Sequence, residues 1–245
     1  MLEKKHTKYF ESGTIENKKF WDRLGGKPNF SEKSVLDFGC GHGSLCIDVA
    51  SSGARKIIGV DLNKELIDFA NSNLNHNYTI YKDRLYFKSF DLLNENFTDK
   101  FDIILSKDTF EHTLNLDKVL KRMHDLLKPG GKAYIGFGPL YNSYNGDHYR
   151  TKTIFPWFHL LIPEKIIIRI LNNKNKVKIQ KIEDLGLNKC SFKDYQNYFN
   201  NSPFNIKYFK KNCSNNPVAK IFNLISKIKL IEEYFTFNIY CILEK

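Results

Sequence analysis

Val35-Leu36-Asp37-Phe38-Gly39-Cys40-Gly41-His42-Gly43 is the stretch from which the rest of the chain can be read. Two apolar residues end a buried strand, and an acid follows. Three glycines then fall at alternate positions, before Ser44-Leu45-Cys46-Ile47, which can open a helix. Glycine has no Cβ, so this backbone can pass close to a ligand. The helix start offers free N–H groups to the same ligand. The glycine spacing narrows the choice of ligand. A dinucleotide fingerprint places glycines at i, i+2 and i+5. Here they are Gly39, Gly41 and Gly43, and Ser44 occupies the i+5 position. Asp37 stands before the glycines, where a carboxylate would repel a pyrophosphate and attract a cationic ligand.

The pattern acid-x-Gly-x-Gly-x-Gly resembles motif I of the class I S-adenosylmethionine-dependent methyltransferases. A glycine-rich turn without a ligand is the bland alternative. Further along, Lys56-Ile57-Ile58-Gly59-Val60-Asp61 reads as a second strand ending in an acid, eighteen residues after Gly43. That spacing suits a carboxylate at the tip of a neighbouring parallel strand, able to accept from both ribose hydroxyls. It resembles motif II of the family. A helix N-cap is the other reading of Asp61, with Leu62, Leu66, Phe69 and Ala70 as the helical stripe.

The elements on either side follow the same order. Residues 6 to 24 suggest a leading helix with Phe20, Trp21 and Leu24 on one face, ended by Gly25-Gly26-Lys27-Pro28. In the family this chain resembles, such a helix often covers the cofactor. Ser34 to Phe38 is the first strand and Ser44 to Ser52 the first helix, closed by Gly53. Leu85 to Phe90 is the third strand, followed by Asp91, and Lys100 to Ser106 is the fourth. By resemblance, Asp91 accepts from the adenine amino group and Leu92 flanks the ring. Val119, Leu120, Met123, Leu126 and Leu127 form an amphipathic helix. Lys128-Pro129-Gly130-Gly131-Lys132 is a turn into strand five, Ala133 to Phe137. Phe204 to Phe209 reads as strand six. Asn216-Pro217 opens a helix with Pro in its first position, and Phe235 to Ile242 is the last strand. The expected fold is α/β: a doubly wound, seven-stranded, mostly parallel sheet of the Rossmann-like methyltransferase kind. The final strand inserts antiparallel between strands five and six.

Residues 1–30 are read as an N-terminal helical cap, and 31–245 as the methyltransferase domain. An inserted, partly helical substrate cap follows strand five at about 139–203. Within it, Ser191 can N-cap a short helix ending near Asn200. Phe155 to Leu171, with Trp157 and Arg169, is read either as a buried cap helix or as an amphipathic surface for an anionic membrane.

The 245 residues suffice for one full α/β domain with insertions. Apolar content of 42% and charged content of 27% mark a globular chain. The net charge of +11 favours anionic partners, although the lysines are spread along the chain. Cys40, Cys46, Cys190, Cys213 and Cys241 form no C-x-x-C pair, which suggests reduced thiols. Met1 to His6 lacks the apolar core of a signal peptide, and Ile154 to Leu171 is too broken by Pro and charge to span a membrane. A cytoplasmic location follows as the expectation, with peripheral membrane contact left open.

The resemblance implies S-adenosylmethionine as cofactor, held by Asp37, Phe38, Gly39, Cys40, Gly41, Gly43, Asp61, Leu62, Asp91, Leu92 and Ser106. No metal is expected. The segment Lys107-Asp108-Thr109-Phe110-Glu111-His112 resembles the loop after strand four in small-molecule members of the family. It lacks the Asn/Asp-Pro-Pro-aromatic signature of amino-group methyltransferases acting on bases or glutamine. A small molecule is therefore the expected acceptor, through a hydroxyl of a sugar, lipid precursor or secondary metabolite, and nucleic acid is not expected. A hydroxyl nucleophile usually needs a base. His148, after strand five, is the first candidate and His112 the second. Three rival readings remain. An RNA methyltransferase fits the charge but lacks a clustered basic motif. A nicotinamide enzyme conflicts with the glycine spacing. A non-catalytic partner subunit would have eroded motifs, whereas these are intact.

Overall fold

A computed structural model of the chain describes residues 4–95, 97–150, 155–175, 178–214 and 217–245. Helix α1 spans Lys4–Arg23 and buries His6, Phe10, Gly13, Asn17, Phe20 and Trp21, a stripe at helical spacing. Alternating strands and helices follow: β1 (Ser34–Phe38), α2 (Ser44–Ser51), β2 (Lys56–Asp61), α3 (Lys64–Asn77), β3 (Leu85–Ser89), β4 (Phe101–Lys107), α4 (Leu116–Leu126) and β5 (Leu127–Phe137). Then come α5 (Phe158–Leu161), α6 (Glu164–Asn175), α7 (Phe192–Asn200), β6 (Asn205–Lys211), α8 (Pro217–Ile225) and β7 (Ile239–Glu244). The sheet has seven strands in the order β3-β2-β1-β4-β5-β7-β6. β1 to β5 run parallel, and β7 lies antiparallel to both β5 and β6. This is the expected doubly wound sheet.

Successive side chains on a strand point to opposite faces, which builds two cores from one sheet. Leu36, Ile58, Ile104 and Ile135 pack with Leu120 and Met123 of α4 and Tyr195 and Phe199 of α7. Their neighbours Val35, Ile57, Ile103 and Leu105 pack on the other side with Phe20, Trp21, Leu45, Val49 and Ile67. Part of the segment after β5 therefore belongs to the main fold, because α7 is a layer helix of the sheet. Ile167, Leu171, Ile179, Ile182 and Leu187 form a separate small cluster. Ser191 caps α7, accepting from the Asp194 amide while the Asp194 carboxylate accepts from the Ser191 amide.

Several boundaries differ from the sequence reading. Leu127 is a strand residue, and the expected Lys-Pro-Gly-Gly turn is an irregularity inside β5. Leu127 pairs with Phe101, the register shifts, and pairing resumes at Lys132 with Ile103. Gly130 takes φ +72°, and its amide donates to the Lys245 carbonyl at 3.2 Å, so Lys245 holds the bulge. The last strand begins at Ile239, not Phe235, because residues 235–237 find other partners. Asn212 binds the Phe235 carbonyl and the Phe237 amide, and Leu140 N–H donates to the Phe237 carbonyl. The cap of α3 is Asn63, whose side chain accepts from the Glu65 and Leu66 amides, so the N-cap reading of Asp61 does not hold. Ile154 and Asn216 lie outside the described residues.

Candidate active site

The carboxyl ends of β1, β2, β3 and β4 open on one cleft of about 1320 Å³. Asp37, Phe38, Gly39, Cys40, Gly41, Asp61, Leu62, Asp91 and Leu92 line it, as does His112. Gly43, Ser106 and His148 are not among the lining residues. Gly43 serves the fold: it starts α2 at φ +81°, and a Cβ there would stand 2.5 Å from the Phe87 ring. The buried Ser106 hydroxyl donates to the Phe38 carbonyl at 3.1 Å, tying β4 to the end of β1.

The glycine turn is pinned from three sides. The amides of Gly39 and Cys40 donate to the Val60 carbonyl at 2.9 and 3.0 Å. The Gly41 amide donates to Asp61 Oδ2 at 2.9 Å, and the Asn63 amide donates to Asp61 Oδ1 at 2.8 Å. From above, His6 of α1 sits 2.8 Å from His42, ring nitrogen to ring nitrogen, and 2.9 Å from Glu65. Gly13 makes this cover possible, because a Cβ there would stand 2.3 Å from Ser44 Oγ at the start of α2.

Asp37 forms part of the cleft floor and is only 2% exposed. Burial pushes its carboxyl up to about 7, against the hydrogen bond from Cys46 Sγ at 3.1 Å and the nearby Lys107. Asp91 Oδ1 accepts from the Leu93 amide and Oδ2 from the Asn94 side chain, which fixes the carboxylate at the cleft edge. Lys107, Asp108, Tyr9 and Arg150 also line the cleft, and the sequence reading had not singled them out for it. Lys107 Nζ donates to Asn17 Oδ1 of α1 at 3.0 Å, and burial lowers its pKa.

Beyond the cofactor-type residues, the cleft runs to the loop after β4. Here His112 and His148 meet with ring centroids 4.9 Å apart. His112 Nδ1 lies 2.6 Å from the Gly186 carbonyl, and burial lowers the pKa of the ring. His148 Nε2 lies 3.0 Å from the Pro139 carbonyl. Burial and the neighbouring His112 push His148 down to about 4. Glu111, buried beside them, is pushed well above the usual carboxylate range, first by burial and then by Asp108. His112 is thus the member of the group that reaches the cleft wall, with His148 behind it.

The methyltransferase-domain family matches residues 29–137. Among curated proteins, the chain is 33% identical over 129 residues to phosphoethanolamine N-methyltransferase 3 of Arabidopsis thaliana, covering 52% of this chain and 25% of that protein. It is 35% identical over 108 residues to ubiquinone biosynthesis O-methyltransferase of Coxiella burnetii, covering 42% of each. The chain thus spans less than half the length of these relatives. Similarity of structure reaches further along the chain. A S-adenosylmethionine-dependent methyltransferase from Mesorhizobium loti gives a TM-score of 0.59 at 16% identity, covering 93% of this chain and 98% of that one. Geranyl diphosphate C-methyltransferase from Streptomyces coelicolor A3(2) gives 0.61 at 15% identity, covering 95% of this chain and 80% of that one. At such identity the structures speak for the fold, while the matched domain covers the glycine turn and the acids of β1 to β3. Over residues 29–137 the chain thus carries a methyltransferase domain, and its fold is that of solved S-adenosylmethionine-dependent methyltransferases.

Proposed function

We propose that this protein transfers a methyl group from S-adenosylmethionine to a hydroxyl of a small-molecule acceptor: a sugar, a lipid precursor or a secondary metabolite. The observation that carries this reading is the joining of Gly41 to Asp61 at the mouth of the cleft. It holds the glycine turn open and leaves the carboxylate with lone pairs for the ribose hydroxyls. Asp37, once ionised, supplies negative charge beneath the turn for a cationic cofactor, and Asp91 with Leu92, which line the same cleft, would take the adenine.

The chemistry is an in-line displacement. The acceptor oxygen attacks the methyl carbon as the carbon–sulfur bond breaks, and its electron pair stays on sulfur to give S-adenosylhomocysteine. Holding donor and acceptor in near-attack geometry supplies much of the acceleration. We assign loss of the acceptor's proton to the group formed by Glu111, His112 and His148. His112 ranks ahead of His148 as its contact with the acceptor, because it lines the cleft. The names of similar proteins span N-, O- and C-directed transfer, so likeness alone does not choose the acceptor atom. Calorimetry with S-adenosylhomocysteine, NAD and RNA in turn tests the reading. Binding of the first alone supports it, and binding of NAD or RNA in its place overturns it.

A second observation bears on where the acceptor comes from. Phe155, Leu161, Ile166, Ile170, Leu224 and Leu230 are exposed, with Leu161 at 76% and Leu230 at 88%. Trp157 stacks on Phe222 at 6.2 Å, which ties the α5 region to α8. Lys165, Arg169, Lys220, Lys227 and Lys229 are exposed in the same segments. Apolar residues flanked by cations suit the face of an acidic bilayer, which would present a lipid-linked acceptor. Among the described residues, no helix is long and apolar enough to cross a membrane.

A further inference from the structure

Glu111, His112 and His148 each bring one metal-ligating atom within 4.8 Å of the other two. Glu111 is 3% exposed, and its Oε1 accepts from the Gly138 amide at 3.3 Å. Its Oε2 is buried and has no hydrogen-bond partner. A buried carboxylate oxygen left unbonded is costly, and its presence asks for a ligand. Arg150 eases the Glu111 charge electrostatically, but no ion pair joins the two among the described residues.

The imidazoles are held in a complementary way. A carbonyl only accepts, so His112 Nδ1 and His148 Nε2 must carry the hydrogens they donate to Gly186 and Pro139. When each ring is neutral, His112 Nε2 and His148 Nδ1 therefore bear lone pairs. Metal-ligating histidines are oriented by this kind of second hydrogen bond. Two imidazoles and one carboxylate make a mixed nitrogen and oxygen donor set suited to first-row divalent ions.

We propose that Glu111, His112 and His148 form a binding site for a divalent transition-metal ion at the acceptor end of the cleft. This departs from the sequence-based expectation of no metal. Because His112 also lines the cleft, an ion held there is within reach of the acceptor. One consequence rests on the proposed methyl transfer: an acceptor hydroxyl bound to the ion loses its proton to water more readily. His112 then acts as a ligand and no longer as a base.

Binding is tested without donor or acceptor, so its outcome stands apart from that of the methyl transfer. The full-length protein is stripped of metal and titrated with Zn²⁺ by calorimetry. A Co²⁺ titration followed by visible absorption reports the ligand set. We expect one equivalent of Zn²⁺ to bind, with affinity falling about tenfold or more in Glu111→Gln and in His148→Asn. Both variants should keep S-adenosylhomocysteine binding and a cooperative thermal transition. If Glu111→Gln fails to fold, His148→Asn decides. Absence of Zn²⁺ binding by the wild type, or unchanged affinity and Co²⁺ spectrum in a folded His148→Asn, overturns the proposal.

Discussion

The Asp61 carboxylate, at the end of β2, accepts the amide hydrogen of Gly41 at 2.9 Å. The second-strand acid is thus a strut of the glycine turn as well as a candidate for the ribose. Asp61→Ala removes both functions. It should weaken S-adenosylhomocysteine binding by about 1.5–3 kcal/mol, the scale of hydrogen bonds to a charged group. Isothermal titration measures the change, and affinity equal to wild type would remove Asp61 from the site.

Gly41 separates binding from folding. It takes φ +51°, and a Cβ built there meets nothing within 4 Å. Gly41→Ala therefore carries only the backbone cost of a left-handed residue, about 1–2 kcal/mol. That corresponds to a fall of about 2–8 °C in Tm for a chain of this size. The added methyl projects where the ligand must approach, so S-adenosylhomocysteine affinity should drop while the fold survives. Thermal melts and calorimetry on one preparation check both parts, and full affinity in the variant would refute a close approach at this turn.

Asp37 should make both stability and binding depend on pH. Burial raises its folded pKa from 3.8 to about 7. Between those values the folded protein holds a proton that the unfolded chain has lost. This contribution to stability is fully present below the unfolded value and is lost as pH rises through about 7. Asp37→Asn should flatten that part of the denaturation profile. The cationic ammonium of S-adenosylhomocysteine favours the ionised carboxylate, so affinity should tighten as pH rises toward 7. Urea melts and titrations from pH 5 to pH 8 measure both trends, and an affinity independent of pH in the wild type would place the cation elsewhere.

The exposed apolar residues make a separate prediction. The full-length protein should sediment with vesicles containing acidic lipid at physiological salt and not with neutral vesicles. Leu224→Glu with Leu230→Glu should abolish sedimentation and leave S-adenosylhomocysteine binding intact. A wild type that stays in the supernatant removes the membrane reading.

The sheet was legible because each of its signals is local. Asp37 with its glycines, and Asp61 and Asp91 at strand ends, lie within short stretches whose chemistry fits one topology. Ends that depend on distant partners were misplaced. Leu127 and Phe235 looked respectively helical and extended. Pairing with Phe101 makes the first a strand residue, while Asn212 and Leu140 keep the second out of β7. At the site, His112 and His148 stand far apart in sequence, and only their packing shows which reaches the cleft. Gly13 was passed over because its signal, contact with Ser44, exists only once α1 crosses α2. Lys107 and Arg150 likewise gain their place through burial beside residues far along the chain.

Transfer of labelled methyl from S-adenosylmethionine to cell extract, fractionated into RNA, lipid and small polar metabolites, tests the central claim most directly. Label should enter the lipid or small-metabolite fraction with the wild type, and fall to background with Asp61→Ala. Label confined to RNA, or equal label with and without the protein, would contradict the account.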